Sequence, residues 1–151
     1  MKNIKLKKIN TDKLTKDFFN LLEKLNKNQW EIKINRNWTI KDCIAHLIGW
    51  EKEGIKVLRK CWDEEKNPWF MKNDKDYRKF NKKTVKKYHN FKPNELINEW
   101  KKWQKCFENE VEKIGTNKLR KNPEFDWVFD ETSENHYLHH LKQIKKSLIK
   151  K

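Results

Sequence analysis

Two histidines near the C-terminal end of the sequence, His136 and His140, are four residues apart. In a helix, this spacing places two side chains one above the other on the same face. A third histidine, His46, lies far upstream in another segment with a helical apolar stripe. Three neutral imidazoles with an open fourth position suit a catalytic zinc ion or a similar divalent ion. If the two segments pack side by side, the three imidazoles can form one metal site.

Other residues with useful chemistry fall on the same predicted faces. Cys43, Trp50 and Glu53 share the helical stripe of His46, and Tyr137 lies on the predicted last helix. Glu53 is the candidate catalytic carboxylate, acting as a base, a fourth ligand or the acceptor that fixes an imidazole tautomer. Cys43 is an alternative soft ligand. We expect Cys43, Trp50 and Tyr137 to line the pocket.

The histidines also allow an interpretation without metal, because a single core histidine is more often a hydrogen-bonded buried residue than a ligand. In that alternative the imidazoles bond each other and Glu53. Aromatic side chains, with Trp50, Trp69 and Trp127 as candidates, would line a pocket that sequesters an apolar or electrophilic ligand. In both interpretations His139 points away from the site, since adjacent helical residues differ by about 100°.

Four long segments with helical periodicity must position these residues. They cover residues 11–27, 39–62, 93–114 and the last segment with the histidine pair. A shorter basic helix is predicted over 75–89. Only 3 Gly and 3 Pro occur, which favours long helices over a fold with many turns. We predict an all-α four-helix bundle with one short extra helix, as a single domain over residues 1–151.

Local signals refine this prediction. Asn10 or Thr11 is expected to cap the first helix, and Thr39 with Asp42 resembles a capping box for the second. Gly49 lies inside the second helix, which predicts that another element comes close to it. The alternation of Trp30, Ile32 and Ile34 is compatible with a short extended piece or a loop, and we predict no strand there.

The formal net charge of +15 would attract a polyanion such as nucleic acid or an anionic membrane surface. Proteins that read base sequence depend on the bidentate fork of arginine. Here the basic residues are almost all lysines spread along the chain, and the only arginines are Arg36, Arg59, Arg78 and Arg120. We therefore favour composition bias as the source of the charge, with weak, non-specific nucleic-acid binding as the alternative.

The cysteines and the N-terminal residues bear on compartment and partners. The 3 cysteines are widely spaced and form no CxxC pair. The first residues contain no apolar core of a signal peptide, and no run of about 18 apolar residues occurs. We expect a reduced cytoplasmic protein with free thiols, no membrane partner and a small-molecule substrate. The chain is expected to be a monomer or a homodimer.

Two stretches, Trp38 to Trp50 and Asn135 to Leu141, together resemble the motifs of the DinB/YfiT-like four-helix superfamily, and within it the ClbS/DfsB branch. The resemblance implies an up-down-down-up bundle. It also implies a divalent-metal site, zinc or nickel, held by His46, His136 and His140. In that branch the second motif usually has an acid where this chain has His139. The function implied is a metal-dependent hydrolase or thiol transferase with a detoxification or self-resistance role.

Overall fold

The computed structural model describes the backbone of residues 4–64, 74–115 and 134–149 and the side chains of 12–59, 77–115 and 136–149. Trp69 and Trp127, the two aromatic candidates for a sequestering pocket, lie outside the described residues.

The described chain is an all-α bundle of four long helices with one shorter helix, as predicted. The helices are α1 (Ile4–Lys24), α2 (Ile40–Glu64), α3 (Asp74–Lys87), α4 (Pro93–Ile114) and α5 (Glu134–Ile149). Between α1 and α2 lie a 3₁₀ turn, Gln29–Glu31, and an isolated bridge between Lys33 and Thr39. No strand forms within the described ranges. None of their helices is long and apolar enough to cross a membrane.

The first helix begins at Ile4, so the prediction of a cap at Asn10 or Thr11 is wrong. Its first turns are rich in lysine, which is a good helix former and extends the helix past the polar residues. The start of α2 is as predicted: the Asp42 N–H donates to Thr39 Oγ1 and the Thr39 N–H to Asp42 Oδ2, both at 3.1 Å. Gly115, with φ at +85°, ends α4.

Helix α2 is central to the bundle and packs against α3, α4 and α5, while α1 packs against α5. Its buried face carries one side of the core, with Ile40, Ile44, Leu47 and Ile48 fully buried. The opposite side is supplied largely by aromatic residues of the other helices, including Phe18, Trp100 and Tyr137. Because α2 contacts three other helices, it can bring side chains from all of them to one place.

The predicted close approach at Gly49 is confirmed, and the approaching element is α3. A Cβ atom at Gly49 would lie 2.7 Å from Thr84 Oγ1 and closer still to Thr84 Cγ2. Both branches of the threonine therefore face the glycine, and no rotamer change would make room. His46 precedes Gly49 by one helical turn, as Asn81 precedes Thr84. The glycine contact thus holds α3 close enough for Asn81 to reach His46.

Candidate metal centre

Three histidines from two helices meet at one point. His46 comes from the middle of α2, and His136 and His140 come from successive turns of α5. His136 Nε2 lies 2.9 Å from His46 Nε2 and 3.0 Å from His140 Nε2. All three ligand nitrogens lie within 4.8 Å of one another. The structure therefore brings together the three residues that the sequence singled out.

Two of these imidazoles are held by side-chain amides through their other ring nitrogen. His46 Nδ1 lies 3.0 Å from Asn81 Oδ1, which also accepts the Trp50 indole N–H at 2.6 Å. His140 Nδ1 lies 2.7 Å from Gln143 Oε1. An indole N–H only donates, so the Asn81 atom between Trp50 and His46 must be the oxygen. His46 Nδ1 therefore carries the hydrogen.

These hydrogen bonds decide what the Nε2 atoms present to the centre. With the hydrogen on Nδ1, a neutral imidazole has a lone pair on Nε2. The lone pairs of His46 and His140 both point at His136 Nε2, at 2.9 and 3.0 Å. One N–H on His136 can point at only one of them. A cation between the three nitrogens would instead accept all three lone pairs.

The distances also suit a single ion. Nitrogens bound at about 2.0–2.1 Å to one zinc ion lie about 2.8–3.4 Å apart, from right-angled to tetrahedral geometry. The two Nε2 separations that involve His136, 2.9 and 3.0 Å, lie within that range. Amide groups that orient ligating imidazoles through Nδ1 are a usual feature of protein metal sites. The residues present therefore fit a divalent ion.

The local electrostatics keep the imidazoles in the form that binds a metal. Burial lowers the pKa of His46 well below its usual range, and neighbouring His136 and His140 lower it further. Burial lowers the pKa of His140 to about 4, although its hydrogen bond to Gln143 acts in the opposite direction. At neutral pH both rings are uncharged, as a metal ligand must be.

One tryptophan packs against the centre and a second acts on it through an amide. The centroid of the Trp38 ring lies 4.6 Å from that of the His46 ring. Trp50 donates its indole N–H to Asn81 and so supports His46 through that side chain. His139 is exposed and outside the cluster, as predicted.

The remaining candidates from the sequence occupy other positions. Among the described residues, the group able to hold a metal contains the three histidines and neither Cys43 nor Glu53. Cys43 is fully buried in the core, and burial raises the pKa of its thiol, so it is a protonated core residue. Glu53 accepts a hydrogen bond from Lys56 at 3.2 Å and lines a cavity between α2 and α3. Its catalytic role stays a prediction.

Tyr137 lies in the core and anchors α5 through a buried carboxylate that the sequence interpretation missed. Glu51 is 1% exposed, and its Oε2 accepts hydrogen bonds from Tyr137 Oη at 2.6 Å and Trp100 Nε1 at 2.9 Å. Gln104 Nε2 donates to the same oxygen at 3.2 Å. This network joins α2, α4 and α5 beside His136. The sequence feature that could have revealed this network is the position of Glu51, an acid on the apolar stripe of α2.

Burial makes Glu51 a pH-sensitive component of the fold. Desolvation raises its pKa to about 8, although the donors Tyr137, Trp100 and Gln104 act to lower it. A carboxyl whose pKa is higher in the folded state binds more protons there, so stability falls as pH rises between the unfolded and folded pKa values. The destabilisation is absent below about pH 4 and complete above about pH 8.

We therefore expect the free energy of unfolding of the wild type, taken relative to that of Glu51→Gln, to decrease by up to several kcal/mol between about pH 4 and about pH 8. Glu51→Gln keeps an acceptor oxygen but cannot ionise, and the difference between the two proteins removes the opposite contribution of the low pKa values of His46 and His140, which both share. Urea unfolding at several pH values measures both. Glu23→Gln is the control, because Glu23 forms an exposed ion pair with Lys101. Parallel wild-type and Glu51→Gln curves would contradict the prediction.

With the geometry described, comparison with known proteins gives the family. A family model of the DinB superfamily matches residues 10–144, a range that includes all three histidines. The chain belongs to the DinB superfamily. Neither a search of curated proteins nor a search of solved structures finds a match. DinB proteins are often metal-dependent, and a three-histidine group is present in this DinB chain.

Proposed function

We propose that this DinB protein is a metal-dependent enzyme that acts on a small-molecule electrophile, by hydrolysis or by transfer of a thiol. The observation that carries the proposal is the convergence of three Nε2 atoms, of which that of His46 is fixed as a lone-pair donor by its hydrogen bond to Asn81. A separation of more than about 5 Å between His46 and the His136–His140 pair would favour the metal-free alternative, given Zn–N bonds of about 2 Å. The observed 2.9 Å between His46 Nε2 and His136 Nε2 is short enough for both rings to bind one ion.

The residues around the site have separable roles in this proposal. His46, His136 and His140 would hold the ion, and Asn81 and Gln143 orient two of the rings. A bound divalent ion supplies a Lewis acid that lowers the pKa of a water or thiol. All three ligands are imidazoles, which suits zinc or nickel better than magnesium or calcium.

A proton acceptor and a branch assignment complete the proposal. Glu53, seven residues after His46 on α2, is the proposed base, with its carboxylate close to Lys56.

Among DinB proteins we infer that the chain falls in the ClbS/DfsB branch, on the motif around His46 and the His136–His140 pair. A detoxification or self-resistance role then follows from the chemistry of removing electrophiles.

Activity on two model reactions tests this function. Chelator-treated protein is loaded with zinc or nickel and assayed on an activated ester, and on an epoxide with a small thiol. We expect turnover in one reaction that appears with metal and falls at least about tenfold in His140→Ala, since loss of even an outer partner costs 10–100-fold. His139→Ala, which changes an exposed neighbour, should retain activity. Equal rates with and without metal, or no turnover in either reaction, would argue against the function.

A further inference from the structure

A second cavity lies beside the metal centre and is not accounted for by the ion. It has a volume of about 690 Å³ and lies between the segment from Asn35 to Trp38 and helix α3. Ligand pockets for small molecules usually have volumes of about 300–1,000 Å³. The cavity is therefore large enough for a substantial part of a small molecule.

All charged side chains that line this cavity, among the described residues, are cationic. Arg36, Arg78 and Lys82 contribute three cations, and no Asp or Glu lines it. Composition bias explains scattered lysines but not the arginines, because the whole chain has only four arginines and two of them line this one cavity. Arginine offers a planar fork that binds a carboxylate or phosphate with two hydrogen bonds.

Both walls of the cavity are ordered by local structure. Asn35 Oδ1 accepts the backbone N–H groups of Asn37 at 2.8 Å and Trp38 at 2.9 Å, which fixes the turn that carries Arg36. On α3, Arg78 and Lys82 are one turn apart and fall on one helix face. The cations therefore converge from two backbone segments of defined conformation.

The cavity shares two wall residues with the metal centre. Trp38 packs its ring 4.6 Å from the His46 ring. Asn81 bonds His46 Nδ1 at 3.0 Å and also lines the cavity. Trp38 and Val85 add apolar surface next to the cations. A molecule held here would thus combine an anionic group with an apolar part, one side chain away from a proposed metal ligand.

We propose that this cavity recognises a carboxylate or phosphate group of the substrate through Arg36, Arg78 and Lys82, with Trp38 packing on the adjoining carbon atoms. The word substrate rests on the proposed function, but binding of the anion does not require the metal. Binding energy from such a non-reacting group would position the rest of the molecule at the ion. The enzyme would then prefer anionic electrophiles to neutral ones.

Calorimetric titration of the metal-free protein tests the site with two probes, inorganic phosphate and phenylacetate. We expect saturable binding of at least one probe at one site per chain, and the preferred probe distinguishes a phosphate from a carboxylate ligand. Arg78→Gln should weaken binding at least about tenfold, because it removes a cation and its charge-assisted hydrogen bonds to the anion. Arg59→Gln is the matched control, since Arg59 pairs with Glu110 on α4 outside the cavity.

Two results would overturn the proposal. One is no saturable binding of either probe, and the other is equal weakening by Arg78→Gln and Arg59→Gln, which would indicate attraction to the overall charge. Its failure is separable from that of the proposed function. Metal-dependent turnover without anion binding rejects only the cavity, whereas anion binding without metal-dependent turnover rejects only the enzyme function.

Discussion

Replacing His46 or His140 by alanine is expected to abolish stable binding of a divalent ion. The metal content should fall from about one ion per chain in the wild type to a small fraction of that value. Each substitution removes one of three converging nitrogens and leaves two, too few for a stable zinc or nickel site in a protein. Metal content per chain, measured after loading with zinc, nickel or manganese and removal of excess ion, gives the result directly.

The chain offers a matched control for this experiment. His139 neighbours His140 on the same helix but is exposed and outside the cluster, so His139→Ala should bind as much metal as the wild type. Asn81→Ala should bind more weakly by about 10–100-fold, because it frees His46 Nδ1. A wild type that takes up almost no metal, or a His46→Ala variant that loses none, would disprove a three-histidine site.

Trp100→Ala is expected to cause a large decrease in the free energy of unfolding. Trp100 is fully buried, with its ring 5.0 Å from that of Phe18 and 5.3 Å from that of Tyr137. Its indole N–H also donates to Glu51 at 2.9 Å. Truncation of a buried aromatic costs about 3–5 kcal/mol, a large part of the usual 5–15 kcal/mol stability of a domain. Chemical denaturation of both proteins measures the difference.

Two further variants separate packing from hydrogen bonding. Trp100→Phe keeps a ring but leaves Glu51 without one donor, so its cost should be smaller than that of Trp100→Ala. Trp103→Ala is the control, since Trp103 is half-buried on the same helix and its N–H bonds Glu99 at 2.8 Å. If Trp103→Ala destabilises the protein as much as Trp100→Ala, the aromatic network around Glu51 does not hold the bundle together.

The helical architecture was predictable because it depends on the spacing of apolar residues, which is a local property. The 3.6-residue stripes, Pro93 and Gly115 identify α4 almost to the residue. The start of α1 was not predictable in this way, since its first turns carry mostly lysine and the favoured cap residues Asn10 and Thr11 lie inside the helix. A good capping residue is compatible with a helix interior when the residues before it also favour helix.

The histidine cluster was predictable for a different reason. The spacing of His136 and His140 is helical, and the position of His46 on an apolar stripe directs it inward. The amides that orient the rings were not predictable, because Asn81 reaches His46 from α3 across 35 residues. Seven-residue spacing from His46 likewise could not decide whether Glu53 faces the ion or the lysines of α3. That choice depends on how the helices cross.

The separation of the histidines along the chain bears on when the site can form during protein synthesis. His46 and His136 are 90 residues apart, which at about 5–20 residues per second is roughly 5–20 seconds of translation. Until α5 has left the ribosome and docked, the nascent chain contains only one of the three histidines of the site, His46. An ion that joins His46 to α5 closes a long loop of chain. Closure of a long loop removes the most conformational entropy from an unfolded chain. Capture of the proposed ion is therefore expected as a final step of maturation, so the incomplete chain would not bind scarce metal at this site.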